Sequence, residues 1–191
     1  MLTGSGEGLV MILALGFPPA RRKRRKLLPS PTMPKIDIDA APTRFGTNYP
    51  PPHDTPCLGR QRWKLGDAGG LTQFGVNLMR LPPGQWTSQR HWHSAEDEFT
   101  WVVEGEVVLV ENDGETILRA GDCAGFKAGV ANGHHLQNRS DRVAVLLEMG
   151  SRRPETDNCD YPDIDLVARA GEEIYRHRGG TPYDVETGRK R

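Results

Sequence analysis

Between positions 63 and 150 the sequence never sustains an apolar period of 3.6, and that absence constrains the fold more than any composition figure. Short runs of β-branched and aromatic residues are instead cut by Gly, Pro, Asn and Asp. In F-G-V-N-L-M-R-L, Phe74, Val76 and Leu78 fall on one face of a strand, and L-P-P-G ends it. In E-F-T-W-V-V, Glu98, Thr100 and Val102 alternate with Phe99, Trp101 and Val103, which predicts a strand covered on both faces. E-G-E turns the chain into E-V-V-L-V-E, and Asp113-Gly114 predicts a hairpin with a primed turn before T-I-L-R pairs back. Gly121-Asp122 turns again, and C-A-G-F, H-H-L-Q-N and R-V-A-V-L-L-E-M supply further strands. L-G-D-A-G-G-L reads as a turn. This pattern predicts an all-β, antiparallel sandwich or barrel.

The same region carries the chemistry. His91 and His93 are two apart, so on a strand both imidazoles leave one face. Glu98 opens the next strand, and the three donors can meet on one divalent metal. Nitrogen and oxygen ligands suit Fe, Mn, Ni, Co, Cu or Zn, and a two-His, one-carboxylate face is typical of non-haem Fe(II). A fourth donor is available from His134 or His135 in N-G-H-H-L-Q-N. The competing reading is a polar patch on an exposed strand, since histidines two apart also occur by chance. Glu96 shares the parity of Glu98 and can accept from an imidazole N–H or stand in solvent, while Asp97 faces the other way. Arg80, Arg90 and Lys127 are candidate contacts for an anionic substrate. Trp92 lies between two ligand candidates and must face away from them, toward a sheet or subunit interface. Trp101 shares the parity of Phe99 and is expected in the core. Cys123 is expected as a small buried thiol, with Phe126 near the barrel mouth.

The spacing of Gly84, His91, His93, Glu98 and Gly105 resembles the first motif of the cupin superfamily. Gly121-Asp122, Lys127-Ala128-Gly129, His134 and Asn138 resemble the second. The resemblance implies a jelly-roll β-barrel and a metal held by His91, His93, Glu98 and, through the His-x-x-x-Asn spacing, His134. The chain departs from the pattern by one extra residue before His91, by Lys127 in place of Pro, and by two extra residues before His134. That last insertion leaves His135 open as the alternative fourth ligand. The implied cofactor is one divalent transition metal, Fe, Mn, Ni or Zn. The implied activities are dioxygenation, isomerisation or lyase chemistry on a sugar or organic acid. The alternative is a module that binds such a molecule without turnover, and fold alone does not separate the two. The resemblance also implies a homodimer. Tyr161-Pro162-Asp163-Ile164-Asp165-Leu166 resembles the marker of a small single-domain bacterial branch.

A chain of 191 residues fits one domain with arms. Residues 1–32 read as a disordered extension, 33–64 as an extended N-terminal arm, 65–150 as the barrel and 151–191 as a C-terminal arm. The apolar stretch 9–17 is only about nine residues long, too short to span a bilayer. The basic run R-R-K-R-R-K follows it, whereas a secretory signal carries its positive charge in front. Met33 is the expected start of the protein proper. Six of the 25 basic residues but one acidic residue lie before position 33, so the remainder is mildly acidic and does not point to nucleic acid. Cys57, Cys123 and Cys159 lack paired metal spacing and an even count, which predicts free thiols in a reducing cytoplasm. His53 is expected in solvent. Asp160, Asp163 and Asp165 lack the glycine and terminal glutamate of a calcium loop and are read as part of an arm on the barrel surface.

Overall fold

The computed structural model describes residues 35–184, so the expectations for residues 1–32 and for a start at Met33 lie outside them. Three antiparallel sheets form the molecule. The largest runs in the order β1 (Thr43–Phe45), β2 (Gln61–Lys64), β3 (Phe74–Leu81), β10 (Ala144–Ser151), β5 (Glu98–Glu104) and β8 (Cys123–Phe126). A three-stranded sheet follows the order β7 (Gly114–Arg119), β6 (Glu106–Glu111) and β9 (His135–Gln137). A third joins β13 (Tyr175–Arg176), β12 (Leu166–Ala168), β11 (Cys159–Tyr161) and β4 (Trp92–His93). The segment expected as an N-terminal arm thus adds β1 and β2 to the edge of the large sheet. L-G-D-A-G-G-L is not a plain turn but one helical turn, α1 (Leu65–Ala68). Gly66 permits it, because a Cβ there would stand 2.8 Å from the Val76 amide nitrogen.

The alternation read from the sequence is correct, and its sense is the informative part. Met79 and Leu81 of β3, Val102 of β5, and Ala144 and Leu146 of β10 are fully buried. They meet Val107, Leu109, Leu118 and Leu136 from the small sheet, making the core between the two layers. Phe74, Val76 and Leu78 do share a face, but it is the outer one, with Phe74 45% exposed. Trp101 and Val103 are 48% and 52% exposed. The expectations that β5 is covered on both faces and that Trp101 lies in the core are therefore wrong. The physical reason is that the large sheet has one packing layer, and the described residues place none on its other side. Cys123, expected to be buried, is exposed on that same outer face, paired with Trp101.

Gly105 joins the layers. Its φ of +82° turns the chain from β5 into β6, and a Cβ there would lie 3.1 Å from Ala144 Cα. The β6–β7 hairpin pairs Glu111 with Gly114, so Asn112 and Asp113 form the turn, one residue earlier than Asp113-Gly114.

The C-terminal arm is ordered by pairing. Cys159 stands opposite His93 and Asp160 opposite Trp92, which attaches β11 to β4. Beneath it Tyr49, Cys57, Cys159, Tyr161, Leu166 and Ala168 form a second apolar cluster. The Arg90 guanidinium donates to both Asp163 oxygens at 2.6 and 2.7 Å and to the Gly133 carbonyl at 3.2 Å. Asp165 accepts from the Arg178 amide and from His177. These carboxylates serve the arm. His53 is not free in solvent, since it is half-buried with Nε2 3.3 Å from the Tyr183 hydroxyl. No helix among the described residues is long and apolar enough to cross a membrane.

Candidate metal centre

The two histidine segments are brought together by backbone pairing. His91 and His134 exchange N–H···O bonds of 3.1 and 2.8 Å, outside any longer strand. Pairing with β11 places β4, and with it His93, alongside. Glu98 starts β5, on the face that points inward with Thr100 and Val102. The result is convergence on one carboxylate oxygen. Glu98 Oε2 lies 3.0 Å from His134 Nε2, 3.4 Å from His91 Nε2 and 3.6 Å from His93 Nε2.

The other ring nitrogens point outward to acceptors. His91 Nδ1 faces the Gln89 carbonyl at 2.9 Å, His93 Nδ1 faces Asp157 Oδ2 at 2.6 Å, and His134 Nδ1 lies 3.5 Å from the Asn132 carbonyl. An imidazole that donates from Nδ1 offers its Nε2 lone pair inward, which is how metal-binding histidines are oriented. Phe126 stacks flat on His134 at 3.5 Å between centroids, and Tyr161 on His91 at 5.7 Å. The rings are held by packing as well as by hydrogen bonds.

His135 is disposed differently. Its Nδ1 faces the Ser88 carbonyl at 3.0 Å and its Nε2 faces Gln137 at 2.9 Å. Its ring stands edge-on to Trp86 at 4.7 Å. Burial drives its pKa down to about 4, so it is neutral at pH 7.

Other donor sets overlap the first. His91, His93 and Cys159 offer atoms within 4.8 Å of one another, as do His93, Glu96 and Asp157, and as do His91, Glu98 and His134. The first of these needs a thiolate, and burial pushes the Cys159 thiol up. The second has a single imidazole, whose Nδ1 lies 2.6 Å from Asp157 Oδ2. Three inward Nε2 atoms and one carboxylate fit a transition metal best.

Electrostatics agree with the geometry. Burial opposes charge on Glu98, yet the facing imidazoles outweigh it and hold the carboxyl well below the usual range. Burial lowers the pKa of His91. Burial also opposes charge on His93, but the Asp157 hydrogen bond, together with Cys159 and Glu98, outweighs it and carries the pKa up to about 12. Without a cation the site therefore balances Glu98 and Asp157 against a protonated His93.

The cluster forms part of the wall of a cavity of about 420 Å³, whose other walls include Arg44, Tyr49, Arg60, Arg62, Glu148 and Tyr175. A smaller cavity of about 190 Å³ reaches the same residues from the side of Lys127 and Val130. Of the cations singled out from the sequence, Lys127 borders the smaller cavity, Arg80 is exposed on the outer face, and Arg90 is committed to Asp163. Glu96 is half-buried and borders both cavities. Sequence reasoning missed Asp157, whose partner His93 is 64 positions away. It also missed Arg60 and Arg62, although R-Q-R puts two cations two apart beside the strand edge.

Comparison with known proteins gives consistent results. The family model described as a cupin domain matches residues 77–150. The structure is similar to that of a sugar phosphate isomerase of the cupin superfamily from Silicibacter pomeroyi. Identity is 42% and the TM-score 0.74, over 81% of this chain and 99% of that one. It is also similar to a provisionally assigned sugar phosphate isomerase from Acidithiobacillus ferrooxidans, with 29% identity and a TM-score of 0.55 over 67% of this chain and 78% of that one. A Thermotoga maritima protein described as a predicted oxalate decarboxylase shares the fold at 19% identity and a TM-score of 0.51, over 61% of this chain and 97% of that one. No curated protein matches the sequence.

Proposed function

We propose that this chain, which belongs to the cupin superfamily, is a metal-dependent enzyme that isomerises a small oxygenated molecule of the sugar or sugar-acid class. The observation that carries the reading is the convergence of three imidazole Nε2 atoms on Glu98 Oε2 at the wall of a 420 Å³ cavity. That volume suits a small metabolite. His91, His93, Glu98 and His134 are the ligands in this reading, and His135, turned to Ser88, is not. The names of two similar structures, one a sugar phosphate isomerase and the other provisionally so assigned, point to isomerisation ahead of dioxygenation or lyase chemistry.

A bound divalent metal supplies Lewis acidity, polarising a substrate carbonyl. The chain's own residues do the rest. Isomerisation moves a proton between adjacent carbons, so it needs a group that accepts a proton and returns it. Glu96 suits this role, because it borders the cavity beside His93 and burial raises its pKa above that of an ordinary glutamate. The proton taken from the carbon next to the carbonyl is returned to the carbonyl carbon, and the hydroxyl proton passes to the former carbonyl oxygen, so the base ends as it began. Tyr49 and Tyr175, kept neutral by burial, can hold substrate hydroxyls.

The test uses full-length protein purified without chelator or affinity tag. About one equivalent of metal is expected by elemental mass spectrometry. Sugars and sugar phosphates incubated in D₂O are expected to take up solvent deuterium at the isomerising carbon. His93→Ala should lose both metal and turnover. Metal retained in that variant overturns the ligand assignment. Metal-loaded protein that is stabilised by these compounds yet turns none over supports the binding-module reading instead.

A homodimer and a reducing cytoplasmic setting complete the reading. The outer apolar row of Trp63, Leu78, Leu147 and Trp101 crosses four paired strands and suits a second copy. The three cysteines are free thiols.

A further inference from the structure

Arg60 is buried at 4% exposure, and its Nη1 is the one buried side-chain nitrogen or oxygen among the described residues that has no hydrogen-bond partner. Its neighbour in the same cavity wall behaves differently. Arg62 donates to both oxygens of Glu148 at 2.7 and 3.1 Å and to the Thr87 carbonyl at 3.1 Å. Arg60 has only the Gly46 carbonyl, at 3.1 Å from Nε, and the face of Tyr49 at 5.9 Å. No carboxylate among the described residues pairs with it. Burial and then Arg62 push its pKa down to about 10, which still leaves it charged at neutral pH.

A buried cation without a counter-charge is costly, and folds keep such a group where something completes it. Arg60 lines the same cavity as His91, His93, Glu98 and His134. Thr47 and Asn48, from the turn after β1, line it too and offer neutral donors nearby. The planar guanidinium fork matches an oxyanion better than any other side chain does.

We propose that Arg60 is the recognition point for an oxyanion on the substrate, a phosphate or a carboxylate, whose other end reaches the four-ligand cluster. This rests on the reading of the cavity as a substrate chamber. It makes Arg60 a specificity-determining residue and makes the substrate an acidic derivative instead of a neutral sugar.

The test titrates full-length protein with inorganic phosphate and, separately, with acetate, by calorimetry and by melting temperature. Metal-loaded and metal-stripped preparations are run in parallel, with metal content measured in each. One of the two anions is expected to bind saturably in both preparations. Arg60→Gln should weaken it at least tenfold, about 1.4 kcal/mol, at unchanged metal content. Preference for phosphate identifies a phosphorylated substrate, and preference for acetate a carboxylate. If Arg60→Gln does not fold, Arg60→Lys keeps the charge without the fork and should bind more weakly than wild type. The proposal is overturned if neither anion binds, if the substituted protein binds as wild type does, or if binding vanishes when metal is stripped. A protein that holds no metal yet binds the anion through Arg60 would refute the metalloenzyme reading alone. One that holds metal and ignores both anions would refute the Arg60 assignment alone.

Discussion

Replacing Asp157 with Ala tests how the metal histidines are held. Its Oδ2 lies 2.6 Å from His93 Nδ1, and its Oδ1 accepts from the Ala95 amide at 2.7 Å. The side chain is 8% exposed, so the bonds are not screened away by solvent. A hydrogen bond with an ionised partner contributes about 1.5–3 kcal/mol. Loss of a group that orients a metal-binding histidine typically costs about 10–100-fold in metal affinity, or roughly 1.4–2.7 kcal/mol. The two ranges agree, which is expected if most of the bond's strength goes into aiming the ring.

Protons complicate the measurement and supply its sharper readout. In the metal-free protein at pH 7 the His93 ring, raised to about 12, carries a proton that loading must expel. Without Asp157 one of the contacts that hold this proton is gone, while those to Cys159 and Glu98 remain, so the pH dependence of loading in Asp157→Ala should shift to lower pH. Holding that proton less tightly, the variant recovers part of its intrinsic loss in apparent affinity at neutral pH. The assay is competition against a chromophoric chelator at successive pH values. Asp157→Asn keeps an acceptor and should fall between wild type and Ala. A folded Asp157→Ala protein that loads with wild-type affinity and an unshifted pH dependence would refute the reasoning.

Two further outcomes follow from the described residues. His135 has its pKa depressed by burial to about 4, so its contribution to stability is present above its unfolded value near 6.5 and is lost as pH falls through 4. The metal-free protein should lose on the order of 3 kcal/mol across that window, and His135→Gln should flatten the loss in urea melts at successive pH values; an unaltered slope would count against it. Trp101→Lys, on the outer face at 48% exposure, should convert a dimer to a monomer in sedimentation without lowering metal content; a monomeric wild type would remove that use of the face.

How much was legible follows from what a local pattern can encode. Gly84, His91, His93, Glu98 and Gly105 could be read because turns and strand parity fix their relation within a short stretch. Parity alone cannot say which face is the core. Phe74, Val76 and Leu78 on one side of β3 and Met79 and Leu81 on the other are equally apolar, and only the position of the small sheet decides between them. Trp101 was misplaced for the same reason. Asp157 lies in E-T-D-N-C-D, with nothing nearby to mark it, and acquires its role through the pairing of β11 with β4. Arg60 and Arg62 look equivalent in sequence. What separates them is Glu148, 86 positions from Arg62, which accepts hydrogen bonds from one guanidinium and not the other.

The C-terminal arm and the candidate metal centre therefore constitute one physical unit. Asp157 fixes the His93 ring, Tyr161 stacks on His91, and Asp163 holds Arg90, the residue before His91. Residues within 77–150 supply the four inward donors, but the acceptor that orients His93 and the ring that backs His91 come from beyond position 150. The motif is thus sufficient to state which atoms can bind a metal and insufficient to state how firmly. That firmness depends on residues outside positions 77–150, the segment that matches the family. The anion site follows the same rule, since Arg60 lies upstream of the matched segment. In the proposed reading, ligand orientation and substrate charge both depend on segments flanking residues 77–150.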